Sequence, residues 1–579
     1  MANADSLITD HIDIWTNAIK KRSSQGRGSN KKIELTGIKK LRELILELAV
    51  RGQLVPQDPN DEPASALLKK IAAEKTQLIK DKKIKKTKVL PEIREDKKRF
   101  NLPTGWEWCQ LGTVIDRISN GFSGKQNKDG YGYPLTRIET ISKSSINMDK
   151  VGFSPSIPED KLDYYRLHIG DILLSHINSD YHVAKTALVE GNYEIYHGVN
   201  LLLIRLNKHL SPSFINLVIN QLRLSGYFLN IAQHAIGQSS INQSKIIEVV
   251  SSLPPLSEQH RIVAKVDELM ALCDQLEQQT DDSITAHKTL VETLLATLTS
   301  SENTQAFNQN WARIAEHFDT LFTTEHSIDQ LKQTVLQLAV MGKLVPQNLN
   351  DEPASVLLEK IAAEKEQLIK DKKIKKQKVL PAISEDEKPF KLPRGWECLR
   401  LGQIINLISG QHLKPEEYFD HQVKDSIAYI TGPAEFGEIH PSYSKYTTHQ
   451  RAVAHKNDIL VTCKGSGIGK LNIANEKIAI SRQLMAIQTI CTSHSYLKLI
   501  ISSLYKYFQN KGVGIAIPGI SREDITEVLI ELPPLAEQHR IVKKVDELMT
   551  LCDQLKTRIS EAQTTQLNLA DTLVKQAVT

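Results

Sequence analysis

The chain has 579 residues, with 73 Lys and Arg against 68 Asp and Glu, 40% apolar residues, 6% aromatic residues and six cysteines. At roughly 100–200 residues per domain the length calls for three to five folding units. No apolar run approaches the ~20 residues of a membrane helix, and the start MANADSLITDHIDIW has no basic, apolar and small-residue leader, so a cytoplasmic protein with no membrane partner is expected.

From the amino terminus, a basic loop, RSSQGRGSNKK at Arg22–Lys32, precedes LRELILELAVRGQLVPQ, which reads as an amphipathic helix stopped by Gly52 and the proline of VPQ. DEPASALLKKIAAEKTQLIK restarts a helix and runs into a cationic stretch. There Lys80, Lys82, Lys83, Lys85, Lys86 and Lys88 stand against Asp81 alone. Such a run is either a solvated face or a contact for phosphates or an acidic partner.

The stretch Leu54–Ile93 recurs at Leu344–Ile383 with 33 of 40 positions identical, and LPTGWE at Leu102–Glu107 returns at the same offset of 290 as LPRGWE. The repeat carries a second lysine run, Lys370, Lys372, Lys373, Lys375, Lys376 and Lys378. A later block, LPPLSEQHRIVAKVDELMALCDQL at Leu253–Leu276, returns at Leu532–Leu555 with 21 of 24 positions identical, now at an offset of 279. Between these blocks the two copies hardly match. Two constant frames therefore enclose two divergent inserts, and a period near 280 residues is too long for a solenoid, whose repeats run about 20–50 residues. A duplication without functional meaning would spread its differences evenly. Near-identity beside near-randomness points to a frame kept for a common partner and inserts free to differ.

The inserts, about Gly112–Ser252 and Gly402–Glu531, read as mixed α/β domains. Each has a short strand, GDILLS at Gly170–Ser175 or NDILVT at Asn457–Thr462. A helix follows, around Pro212–Leu229 or Tyr496–Gln509, and then a capped segment, Ser239–Ile246 or Pro518–Ile525. Each insert carries 13 basic and 12 acidic residues, so any surface for nucleic acid must be a local patch. After each LPPL block apolar residues follow a heptad seam, Ile262, Val266, Leu269, Cys273 and Leu276 in the first copy and Ile541, Val545, Leu548, Cys552 and Leu555 in the second. A helix over Glu258–Leu298 would be ~60 Å long, and two such helices are expected to pair antiparallel and space the inserts.

Catalytic signatures are missing. CKGSGIGKL at Cys463–Leu471 is one residue short of a phosphate loop and lacks the Ser or Thr after Lys470. There is no Asn-Pro-Pro-aromatic tetrapeptide, nucleophile elbow, H-E-x-x-H or kinase set. The scattered cysteines, with no C-x-x-C, point to reduced thiols and not to structural zinc. His260 and His539, repeated in EQHR, are read as packing or capping residues. Catalysis by this chain alone is not expected.

LAVxGxLVPQ, NDEPAS, LPxGWExxxLG and, above all, LPPLxEQHRIVxKVDELMxLCDQL, each present twice around divergent inserts, resemble the specificity subunit of type I restriction-modification enzymes. The resemblance covers essentially the whole chain. It implies an α+β fold with two mixed α/β target recognition domains, separated by long constant helices that form an antiparallel coiled coil, with an internal pseudo-two-fold duplication. On that pattern residues 1–101 are an N-terminal helical region with its basic segment, 102–252 and 392–531 the recognition domains, 253–391 the central helical region and 532–579 the C-terminal helix. It implies double-stranded DNA as target, one half of a split sequence per domain, and two modification subunits and restriction subunits as partners, whose contacts map to Leu41–Leu90, Leu256–Leu298, Leu331–Leu380 and Leu535–Val578. No cofactor or metal belongs to this chain on that pattern. S-adenosylmethionine, ATP and Mg belong to the partner subunits. The competing reading is a structural adaptor with two protein-binding inserts on a duplicated coiled coil.

Base contacts cannot be carried over by motif, because the inserts are the variable part. Residue chemistry selects loops offering Arg or Lys for guanine, Asn or Gln for adenine, and hydroxyls for phosphate. In the first insert these are Lys125, Gln126, Asn127, Lys128, Tyr131 and Arg137, with His176 and Asn178 after the GDILL strand. In the second they are Lys464, Ser466 and Lys470, with Ser481, Arg482 and Gln483.

Overall fold

A computed structural model describes residues 4–21, 33–86, 89–127, 129–142, 144–302, 304–388, 392–465, 467–511 and 519–578. The basic loop at Arg22–Lys32, and Lys88, Lys128 and Ser466, lie outside them. The chain divides into two compact units, Met1–Ser283 with Ala562–Thr579, and Ile284–Glu561.

In the first unit, α1 (Thr36–Arg51) buries the stripe Ile38, Leu41, Leu44, Ile45 and Leu48. It ends where Gly52 turns left-handed at φ 69°. A Cβ there would stand 2.6 Å from Pro103 Cγ and 2.9 Å from Trp106 Cζ2, so both the turn and the contact require glycine. α2 (Ala64–Lys80) follows. The chain then enters the insert through β1 (Glu107–Gln110) and β2 (Ile115–Asn120), continues through β3 (Ile172–Leu174), β4 (Thr186–Leu188) and β5 (Leu202–Leu206), and turns into α3 (Pro212–Leu224). It leaves through α4 (Gln243–Ile247), β6 (Val250–Leu253) and the long α5 (Leu256–Thr299). The sheet has the order β4-β3-β5-β2, every neighbour antiparallel. Its inner strands are covered on both faces. Ile172, Leu173, Leu174, Leu202, Leu203 and Ile204 are all buried, which is why these segments read as unbroken apolar runs.

In the second unit, α6 (Glu325–Val340) and α7 (Ala354–Lys370) take the places of α1 and α2. The insert enters through β7 (Glu397–Arg400) and β8 (Ile405–Ser409), continues through β9 (Ile459–Thr462), β10 (Leu471–Ile473), β11 (Leu484–Thr489) and α8 (His494–Ser503), and leaves through α9 (Arg522–Thr526), β12 (Leu529–Leu532) and α10 (Leu535–Val578). Its sheet has the order β10-β9-β11-β8, again antiparallel throughout. Two inserts with little common sequence thus fold to one strand order. They differ beyond that sheet. The second adds a four-stranded sheet around Ile427–Ile430 and Ile478–Ile480, whereas the first has among its described residues a three-stranded sheet of Ile177–Asn178, Gln238–Ser240 and Gln233–Ala235 and two-stranded pairings such as Tyr133–Leu135 with Gly152–Ser154.

The α+β class, the two mixed domains, the long helices and the duplication are those expected. Each long helix begins in one unit and ends in the other. In the second unit Val291, Leu295 and Leu298 from the end of α5 share an apolar cluster with Ile541, Val545 and Cys552 from the start of α10. The helix read at Pro212–Leu229 is interrupted. α3 stops at Leu224, Gly226 is left-handed at φ 77°, and a separate turn of helix covers Tyr227–Ile231. Among the described residues no helix is long and apolar enough to cross a membrane.

Candidate nucleic-acid interface

The repeated motifs meet in one hydrogen-bonded clasp in each unit. Glu258 of EQHR, 1% exposed, accepts from the Trp106 indole N–H at 2.9 Å and from Gln57 Nε2 at 3.1 Å. One turn on, Arg261 donates to Asp61 at 2.6 Å. In the second unit Glu537 accepts from Trp396 at 3.1 Å and Gln347 at 2.8 Å, and Arg540 donates to Asp351 at 2.6 Å. Burial pushes both carboxyls up from the ordinary range, while the indole and amide donors pull them back. VPQ, NDEP, GWE and EQHR are therefore parts of one joint. His260 and His539, two residues after the buried carboxylates, are themselves exposed, so of the packing or capping role read for them the packing part is not present.

Two further contacts tie the frame to the insert. Gln259 Oε1 accepts from the backbone N–H of Ser211, at 3.0 Å, and Gln538 does the same for Ser493. These serines cap α3 and α8. Lys75 of α2 donates to the carbonyls of Gly112 at 2.9 Å and Ile115 at 2.7 Å, and Lys365 of α7 to those of Gly402 at 2.8 Å and Ile405 at 3.1 Å. Desolvation lowers both amines, that of Lys365 to about 8. Frame and insert are thus joined through atoms that tolerate a changing insert sequence, namely backbone carbonyls and N–H groups.

The candidate residues lie at the opposite end of the strands, beyond Asn120 of β2 and Leu174 of β3. In the first unit Gln126 and Arg137 flank Gly152. A Cβ on that glycine would be 2.7 Å from Gln126 Oε1 and 3.0 Å from Arg137 Cδ. Gly198 donates its N–H to Thr136 Oγ1 at 2.9 Å, which brings the segment before β5 to the same rim. Arg137 is held 3.5 Å from Glu139. Lys125 is exposed and Tyr131 is 72% exposed. Asn127 braces its own loop, accepting from the Asp129 N–H and donating to the Tyr131 carbonyl. Asn178 likewise bonds Ser175 and the Ser179 N–H. His176 is buried, as is His197. Desolvation lowers both imidazoles, that of His197 to about 4, so neither carries charge at neutral pH.

In the second unit Ser481 donates to the Thr431 carbonyl, Gln483 lies against Gly432, and the Gln483 carbonyl accepts from the Cys463 N–H at 2.8 Å. Lys464 bridges to Gly519. Lys464, Arg482 and Gln483 are exposed and form one rim, whereas Ser481 is buried with its hydroxyl committed to Thr431. Lys470 lies apart from them, lining a cavity of about 460 Å³ with Gln333 and Leu336 of α6.

The strand register aligns the two rims. Ile204 opposite Ile118 and Ile487 opposite Leu407 make Asn200 the counterpart of Gln483, and Val199 that of Arg482. Asn200 is exposed and was missed, because nothing in GVNLLL marks it until the strands are superposed. Also missed was the ribbon Gln233–Ser240, paired with Ile177–Asn178, which carries exposed Gln233 and Gln238 around a fully exposed Ile236. A two-stranded ribbon of this kind fits a major groove.

A duplicated frame that presents one sheet twice, with different side chains on the same rim, is the build of a two-module recognition protein. The model of the type I restriction modification DNA specificity domain matches residues 103–286 and again 393–563. Two Escherichia coli relatives, the type I restriction enzyme EcoAI and EcoEI specificity subunits, are 41% and 43% identical over 602 and 598 residues, covering all and 99% of each chain. A putative MjaX specificity subunit of Methanocaldococcus jannaschii is 29% identical over 85% of this chain and 96% of its own. Among solved structures, a chain described under complex assembly and conformational transition of the type I R-M system aligns with TM-score 0.50 at 19% identity, over 83% of this chain and 99% of that one. The chain belongs to the family of type I restriction-modification specificity subunits.

Proposed function

We propose that this chain is the non-catalytic DNA-reading subunit of its complex, in which each recognition domain reads one half of a bipartite, asymmetric double-stranded DNA target. Adenine methylation and cleavage then belong to modification and restriction subunits, with S-adenosylmethionine, ATP and Mg held by those partners. The observation that carries this reading is the rim. One strand order and one set of frame contacts present Val199 and Asn200 in the first insert and Arg482 and Gln483 in the second. The base-reading set on this proposal includes Lys125, Gln126, Arg137 and Tyr131 with Asn200 and the Gln233–Ser240 ribbon in the first module, and Lys464, Arg482 and Gln483 in the second.

The test is a methylome of cells carrying the complex. Replacing Gly112–Ser252 by the insert of a relative should change one half of the methylated motif and leave the other half unaltered. Loss of the modular assignment would show as a change in both halves or in neither.

A further inference from the structure

The apolar seams that join each frame helix to its long helix are nearly the same in both units. Ile38, Leu41, Ile45 and Leu48 on α1 correspond to Ile328, Leu331, Val335 and Leu338 on α6. Val266, Leu269, Cys273 and Leu276 on α5 correspond to Val545, Leu548, Cys552 and Leu555 on α10. α1 also touches the far end of α10, through Lys40 with Asp571 and Arg51 with the Val578 carbonyl, but hydrophobic burial is not directional, so these seams alone give α1 no reason to choose the first half of α5 over the first half of α10. The charged rung beside them does. In the first unit Arg42 of α1 donates to Asp274 at 2.6 Å and to Glu277 at 2.9 Å on α5, with Lys39 one turn before it on α1. In the second unit Lys332 of α6 pairs with Asp553 of α10, and Asp329 of α6 pairs with Lys556 at 2.8 Å. The first pair keeps its sign between copies. At the second position the charges are exchanged, Lys39 and Glu277 standing where the second unit has Asp329 and Lys556, and in the first unit Glu277 pairs with Arg42 while Lys39 lies 3.7 Å from Glu34.

We infer that this exchange of charges is a sorting device, which pairs α1 with the first half of α5 and α6 with the first half of α10 and disfavours the two crossed pairings. In a crossed pairing Asp329 would face Glu277, and Lys556, at the position of Glu277, would face Arg42 with Lys39 one turn before it, so each wrong combination sets like charges together. A folding chain whose two long helices begin alike and whose frame helices carry matching apolar seams has this ambiguity built in. The partner each helix rejects is the other half of its own chain, or that half in a second copy.

The experiment uses the full chain refolded from urea, treated with a carbodiimide that joins touching amines and carboxylates, and read by peptide mass spectrometry. Lys332 reports on sorting, since it links to Asp553 when paired correctly and to Asp274 when crossed. The variant D329K/K556E keeps attraction within the second unit but makes both crossed pairings attractive. The crossed-to-correct ratio at Lys332 should rise about tenfold, as two repulsive contacts become attractive ones. The quadruple variant K39D/E277K/D329K/K556E reverses both rungs and should return the ratio to that of the natural chain. Thermal melts separate this role from plain stabilisation. K556E alone should melt lower and D329K/K556E should recover, so a recovered melt with an unchanged Lys332 ratio overturns the inference. A ratio that stays high in the quadruple variant overturns it equally.

Discussion

At the last residue but one of the exit strand the two units differ in a way that makes stability depend on pH. Ser252 of β6 is 1% exposed and donates its hydroxyl to the Val50 carbonyl at 2.6 Å. Its counterpart on β12 is Glu531, facing a cavity of about 460 Å³ that Val340, the counterpart of Val50, also lines. Burial pushes the Glu531 carboxyl up to about 7 from 4.5. The unfolded chain releases this proton near 4.5 and the folded chain holds it to about 7. Between those values the native state binds more protons, so stability falls as pH rises, and the folded state carries no penalty from this group below 4.5. A shift of this size is worth about 3 kcal/mol at most, and about 2 kcal/mol after allowance for the residue's partial exposure. Glu531→Gln should therefore stabilise the second unit by about 2 kcal/mol at about pH 8 and leave it nearly unchanged at about pH 4.5. Glu531→Ser should add about 1 kcal/mol at both values if the hydroxyl bonds the Val340 carbonyl as Ser252 bonds Val50. Urea denaturation followed by hydrogen exchange of the β7 and β12 peptides measures both. An equal gain for Glu531→Gln at the two pH values would refute the burial argument.

Trp106→Phe and Trp396→Phe each remove the donor to a buried carboxylate and should cost about 2–4 kcal/mol, roughly equally, measured by chemical denaturation, with the methylated motif unchanged in any complex that still assembles. Lys365→Met strands the carbonyls of Gly402 and Ile405 and should lower stability by about 1–3 kcal/mol, seen as faster exchange at the start of β8. Arg482→Ala should relax or abolish one half-site while sparing the other, with a cost of about 1–3 kcal/mol in binding to the matched target. Neutralising Lys80, Lys82 and Lys83, exposed in a turn where Lys82 is left-handed at φ 57°, should weaken assembly or binding to all DNA sequences alike, and a changed target would contradict a purely electrostatic role.

Repetition made the frame legible before any coordinates. VPQ, NDEP, GWE and EQHR recur at matched offsets, and heptad spacing after LPPL predicts the helices that α5 and α10 form. GDILLS and NDILVT likewise announce β3 and β9, since a run buried on both faces has no polar interruptions. What could not be read was the reason for the repetition. Trp106 and Glu258 are separated by 152 positions, and no local pattern says that an indole N–H and a carboxylate will meet. The rim was legible only in part. A lysine in a glycine-rich loop looks the same whether it ends up on the rim, like Lys464, or against a frame helix, like Lys470. His176 resembles a base-reading residue in sequence and is buried in the fold.

Sequence by itself determined the class of this protein, two constant frames around two variable domains, because periodicity and near-identity are properties of the chain order and survive without a fold. The tertiary structure alone decided which residues share a surface. Strand register sets Asn200 and Gln483 in equivalent places, and the facing of two helices in each unit sets Arg42 against Glu277 and Asp329 against Lys556. Register and facing arise from packing between segments far apart in the chain, where the energy of a contact depends on geometry that one-dimensional spacing does not contain.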